Sequence, residues 1–158
     1  MFKNTLRAIA LLAVTAVAAQ AQNTQTVTYA VNAVNQIAFS GTPSLTITTA
    51  VAGSAPTSVT DATSSWAVTT NQTGAKISAS IPTAMPTGLT LSASLAAPAG
   101  ATSAGFQALG VTAVDVVTVV TKLAQGSLGV SYKLDATAAA GVVASATKLV
   151  TYTITGGT

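Results

Sequence analysis

From residue 27 to its end the chain alternates apolar and polar residues, and Gly, Pro or Asn restarts the alternation at short intervals. Side chains of a strand point to opposite faces in turn, so a period of two is the signature of a half-buried β-strand. The odd positions read Val27, Tyr29, Val31, Ala33, then Asn35, Ile37 and Phe39, with Thr28, Asn32, Gln36 and Ser40 among the even ones. Gly41-Thr42-Pro43 interrupts the run, and Leu45, Ile47 and Thr49 resume it. Residues 66–70 and 75–81 flank Asn71-Gln72-Thr73-Gly74, whose Asn and Gly suit positive-φ turn positions; this predicts a β-hairpin. Leu89, Leu91, Ala93 and Leu95 alternate cleanly, as do Leu128, Val130, Tyr132, Leu134 and Ala136.

Residues 111–123 fit two periods. Val111, Val114, Val117 and Val120 share a helical face, yet so many β-branched side chains favour a strand, which Gly126 would end. The last strand is residues 148–155, with Val150, Tyr152 and Ile154 on one face. About eight or nine short strands, with turn signals roughly every ten residues, predict an all-β fold, an antiparallel β-sandwich. An outer-membrane barrel would want aromatic girdles at both interfaces, and 4% aromatic residues do not supply them.

The first 21 residues read differently. Lys3 and Arg7 precede an apolar run over residues 8–19, followed by Ala19-Gln20-Ala21, a small-x-small cleavage site. Residues 1–21 are therefore expected to be a secretory signal peptide, the run being shorter than the roughly 20 residues needed to span a bilayer. Residues 22–158 then form a single exported β-sandwich domain, extracellular or at the cell surface. This mature chain is nearly neutral, holding Lys76, Lys122, Lys133 and Lys148 against Asp61, Asp115 and Asp135. It offers no basic patch for nucleic acid, no integral membrane segment and no hydrophobic tail after Thr155.

The alphabet also restricts chemistry. Glu, His and Cys are absent, so the usual metal ligands and the commonest general base are missing, and no disulfide forms. No spacing gathers the three Asp residues; Asp61 reads as a turn residue, and Asp135 as a solvent-facing partner of Lys133. The reading is of a protein that is not an enzyme and has no cofactor, metal site or catalytic residue. Asn71-Gln72-Thr73 matches an N-glycosylation acceptor pattern at Asn71, in a context that also suits a plain turn.

Two placements are open for the first alternating segment. It adds to its own sandwich beside residues 148–155, or residues 22–34 leave their domain and complete a neighbour's sheet. In the second case Val27, Tyr29, Val31 and Ala33 are the donor strand, with residues 32–36 as hinge and Val150, Tyr152 and Ile154 as candidate acceptor edge. Repeated head to tail, that contact builds a homopolymer of copies of the chain. The competing function is a secreted adhesin or carbohydrate-binding sandwich acting as a monomer through the loop 98–105 and Trp66, although Trp66 opens the alternating series Trp66, Val68, Thr70 and so reads first as a core residue. An ice-binding Thr-x-Thr array is a third reading, but no fixed repeat supports it.

Three stretches carry a resemblance: Val-Thr-Asp-Ala-Thr-Ser-Ser-Trp-Ala-Val-Thr-Thr-Asn-Gln-Thr-Gly-Ala-Lys at 59–76, Leu-Ala-Ala-Pro-Ala-Gly-Ala-Thr-Ser-Ala-Gly at 95–105, and Val-Thr-Tyr-Thr-Ile-Thr at 150–155. With them the chain resembles secreted bacterial β-sandwich proteins, and its layout resembles donor-strand pilins and fibre subunits. The resemblance implies a sandwich of Ig-like or pilin-like kind and a subunit of a pilus-like or fimbrial filament. The Cys pair common in chaperone–usher subunits is absent here.

Overall fold

The computed structural model describes residues 22–158. The expected signal peptide, residues 1–21, lies outside the described residues. By contact density the chain divides into Met1–Val31 and Asn32–Thr158. In the described part of the first unit, residues 22–31, no residue is in a helix or strand, and Val27, Tyr29 and Val31 are exposed.

The second unit is all-β and consists of two antiparallel sheets. Its strands are β1 (Asn35–Ser40), β2 (Val59–Thr70), β3 (Ala75–Ser80), β4 (Leu89–Leu95), β5 (Thr102–Ser103), β6 (Gln107–Ala108), β7 (Val114–Val120), β8 (Leu123–Ala136) and β9 (Thr151–Thr155). One sheet has the order β1-β2-β8-β4-β6 and the other β5-β7-β3-β9. The arrangement is that of a β-sandwich. Between the sheets lie Trp66 and Val68 from β2, Ile77 and Ala79 from β3, Leu91, Ala93 and Leu95 from β4, Val116, Val117 and Val120 from β7, and Leu128, Val130 and Tyr132 from β8.

Period-two reading finds its elements best where a strand keeps one register. β4 pairs with β8 from Leu89↔Ala136 to Leu95↔Val130 without a break, and the alternating residues of both enter the core. In β7 the strand reading of 111–123 holds for Val114–Val120. The three-residue Val spacing has a cause: two register irregularities against β3 put both Val116 and Val117 inside and shift the alternation. The break after β7 falls at Thr121-Lys122, Lys122 having φ of 40°, and not at Gly126, which lies inside β8.

Five further expectations are corrected. Residues 66–70 and 75–81 are not a hairpin. β2 already has β1 and β8 as neighbours and β3 has β7 and β9, so residues 71–74 cross from one sheet to the other as an arch. Thr70 and Ala75, on either side of it, are both buried. Leu45, Ile47 and Thr49 do not resume a strand. At Gly41 the chain takes φ of 107° and passes so close to β2 that a Cβ there would sit 2.8 Å from Ser64 Cα. Pro43 then lacks an N–H to donate, and β2 itself bulges between Asp61 and Ser64.

The strand expected from Val27 onward begins only at Asn35. Asn35 sits opposite Thr70, the last residue of β2, so residues upstream of it have run past the end of their partner strand. β1 also pairs with β2 and not with β9, which excludes the placement beside residues 148–155 for Asn35–Ser40. Asp61 lies within β2, at its bulge, and not in a free-standing turn.

Candidate assembly interface

An open sheet edge is defined by its unpaired backbone, and this sandwich has four edge strands: β1, β6, β5 and β9. β5 and β6 are two residues each and offer almost no ladder to a partner. β1 and β9 are longer, and the two lie on the same side of the sandwich. The rings of Phe39 (β1) and Tyr152 (β9) stack at 4.0 Å between centroids, and Phe39 also lies 6.0 Å from Trp66 at an interplanar angle of 12°. This Trp66–Phe39–Tyr152 stack ties the two sheets together where their edges meet.

The candidate acceptor residues Val150, Tyr152 and Ile154 are half-buried against the core, along with Ile37 and Leu45 from the other sheet's side of the seam. Tyr152 donates a hydrogen bond from its hydroxyl to that of Tyr132 at 2.9 Å. Burial, followed by that bond, pushes the Tyr152 hydroxyl far above the usual phenol range. Among the described residues the pair is the one polar contact that crosses the core from β8 to β9.

Beyond the Phe39–Tyr152 stack both edge chains continue without a ladder. Residues 42–49 follow β1, and residues 142–150 precede β9. Leu45 and Ile47 are half-buried while Thr46 and Thr48 are exposed, the burial alternation of an extended chain. The first stretch is tethered by the Ser44 N–H, which donates to Asp61 Oδ2 at 3.0 Å. That bond first, then the hydroxyl and N–H of Thr63, hold the Asp61 carboxyl below its usual range. The second stretch is tethered by Lys148 Nζ, which donates to Thr83 Oγ1 at 2.8 Å, Ala84 O at 3.0 Å and Thr83 O at 3.2 Å. Asp61 is near the start of β2, and Thr83 and Ala84 follow the end of β3, so both tethers lie at one end of the sandwich.

The arch at residues 71–74 marks the opposite end, and it gathers both ends of the second unit. Asn71 Oδ1 accepts the Val34 N–H at 2.8 Å, and Asn71 Nδ2 donates to Asn32 O at 2.7 Å. The Asn71 N–H donates to Val34 O at 3.2 Å. One side-chain amide thus extends the ladder for the three residues that precede β1. Thr73 exchanges two backbone bonds with Thr158, at 2.9 and 3.2 Å. Gly157 passes so close to Thr73 O that a Cβ has no room there. The candidate glycosylation residue Asn71 is therefore the amide that holds residues 32–34. Nothing in the Asn-Gln-Thr pattern signals that role, because the partner lies 37 residues away in sequence.

The other residues singled out from the sequence are spread over the molecule. Trp66 is 2% exposed, a core residue whose Nε1–H donates to Ala96 O at 3.2 Å, so its ring does not face solvent beside the loop 98–105. Lys133 and Asp135 form a surface pair at 3.0 Å, and Lys76 and Asp115 form another. Ser58 Oγ donates a hydrogen bond to Asp135 Oδ1 and is the main cause of its lowered carboxyl pKa. Among the described residues no three acidic side chains meet to hold a metal ion. No helix among them is long and apolar enough to cross a membrane. Compared with protein-family models, curated proteins and solved structures, the chain matches none.

Proposed function

We propose that this chain is the structural subunit of an extracellular filament, in which the N-terminal segment within residues 22–34 of each copy, ahead of its own clamp at residues 32–34, completes the sheet edge of the next. The observation that carries the reading is one of polarity. Residues 32–34, from which the donor segment extends, are held at the arch, while the long unpaired edge stretches are tethered at the opposite end. A contact joining one end of a molecule to the other end of its neighbour is heterologous. It grows an open chain unless the rotation closes into a ring.

The donor has the pattern such an edge reads. Val27, Tyr29 and Val31 alternate, are 72%, 90% and 84% exposed, and belong to no strand. Main-chain hydrogen bonds to an edge supply affinity, and alternate side chains set register. Export rests on the leader reading of residues 1–21. The adhesin reading loses its main aromatic contact, since Trp66 is interior.

Electron microscopy and mass measurement of purified residues 22–158, beside residues 35–158, test the proposal. Filaments or a regular ladder of masses are expected from the first and neither from the second. Monodisperse monomers of residues 22–158 at high concentration would refute it.

A further inference from the structure

We infer that the landing site of the donated strand is the pair of unladdered stretches, residues 42–49 and 142–150, beyond the Phe39–Tyr152 stack, and that its occupant is residues 22–31 of a second copy, ahead of the clamp on residues 32–34. This rests on the filament reading and adds where the strand binds.

The expected acceptor residues Tyr152 and Ile154 do not offer the best site. Their strand β9 is already paired to β3, and on its other side the Tyr152 ring is stacked face to face on Phe39. The seam is filled there by side chains of the same chain. Past the stack this changes. Among the described residues, 142–150 make no backbone-to-backbone hydrogen bond, and 42–48 make none either. Backbone groups require partners, and an edge without them is a template for an added strand. The same stretches leave Val142, Val143 and Leu149 exposed and hold Leu45, Ile47 and Val150 half-buried, so a layer of apolar side chains is incompletely covered.

Three features favour a second copy's own segment as occupant. Its length fits: residues 22–31 extend about 33 Å at roughly 3.3 Å per residue, enough to cover the eight residues 42–49. Its charge fits, because neither residues 22–34 nor residues 35–49 contain a charged side chain. The single cation of 142–150, Lys148, has its ammonium turned to three oxygens of residues 83 and 84. A charged partner peptide would find no counter-ion here. Its pattern fits as well, since Val27, Tyr29 and Val31 present one apolar face to the exposed Val and Leu residues while Thr26 and Thr28 face away.

The absence of Cys from the chain gives a clean test. Single cysteines are placed at Ala30 in the donor, at exposed Thr46 and Ser145 in the landing stretches, and at Thr102 and Gln107 on the two short edges. Full-length mature chains carrying Ala30→Cys together with one other cysteine are assembled, treated with a short bis-maleimide and run on a denaturing gel. The Thr46→Cys and Ser145→Cys pairings are expected to yield covalent ladders, and the Thr102→Cys and Gln107→Cys pairings monomers. Filaments that crosslink only through Thr102→Cys or Gln107→Cys would overturn the landing site and leave assembly standing. The absence of both filaments and ladders in every pairing would overturn the assembly reading itself.

Discussion

Replacing Val27, Tyr29 and Val31 together by Thr separates assembly from folding. Thr keeps the β-branched shape of the two Val residues and a high strand propensity at all three positions, so the change mainly removes apolar surface available for burial. The three side chains are 72%, 90% and 84% exposed in the single chain and so have nearly all of their surface left to bury. Burying a Val or a larger apolar side chain is worth about 2 kcal/mol, and losing three such terms costs on the order of 5 kcal/mol of contact free energy. At about 1.4 kcal/mol per tenfold, this weakens each subunit contact by between three and four decades. Folding of residues 32–158 should change by no more than about 0.5 kcal/mol, the usual range for exposed positions. Sedimentation velocity reads the first quantity and thermal denaturation followed by Trp66 fluorescence the second. If the triple variant lowers stability by 2 kcal/mol or more (about the value of one buried side chain) while assembly persists, the segment packs on its own body and the reasoning fails.

Tyr152 makes a pH prediction. Its folded pKa is raised, so its contribution to stability is complete below the phenol value of 10.0 and declines as pH rises beyond it, because only the unfolded chain then releases the proton. Denaturant titrations at rising alkaline pH should show this loss, and Tyr152→Phe should reduce its slope; an unchanged slope would count against the buried Tyr152–Tyr132 pair. Gly157→Ala should break the two Thr73–Thr158 backbone bonds, at a cost of about 1 kcal/mol each, and hydrogen exchange at Thr73 should accelerate. Unchanged protection there would show that the tail accommodates a Cβ.

What could be read from the sequence depended on whether a strand kept a single register. The alternation of β4 and of the second half of β8 was plain because their pairing is unbroken from Leu89 to Leu95. In β7, by contrast, two irregularities place Val116 and Val117 on the same side, and the sequence there carries a three-residue spacing that mimics a helix. Turn residues told where the chain bends but not which sheet it enters next. Asn71 to Gly74 suit a hairpin and an arch equally, and the choice is made by β1 and β8, which lie 20 or more residues away on either side and occupy both edges of β2. The amide clamp of Asn71 on Asn32 and Val34 was hidden for the same reason. The apolar pattern of residues 27–33 was visible, but whether it is laddered depends on where β2 stops.

The two sides of the sandwich are treated unequally, and this bears on assembly more directly than the pattern of any one strand. Proteins that stay monomeric blunt their edges with short strands, Pro, bulges or charge. Here one side is blunted by shortness, β5 and β6 having two residues each. On the other side β1 and β9 continue into 42–49 and 142–150, where Pro43 is the single Pro and Lys148 the single charge, its ammonium turned inward to residues 83 and 84. Such an edge carries a standing risk of non-specific pairing, and a covering strand of fixed register removes it. Residues 22–34 are the segment of this chain that has the required alternation and no strand partner among the described residues. The reasoning extends to truncation: removing them should leave the edge bare, so residues 35–158 should remain folded yet form irregular aggregates at high concentration, dispersed by adding a peptide of residues 22–34. Failure of that peptide to disperse them would mean that the edge is satisfied without it.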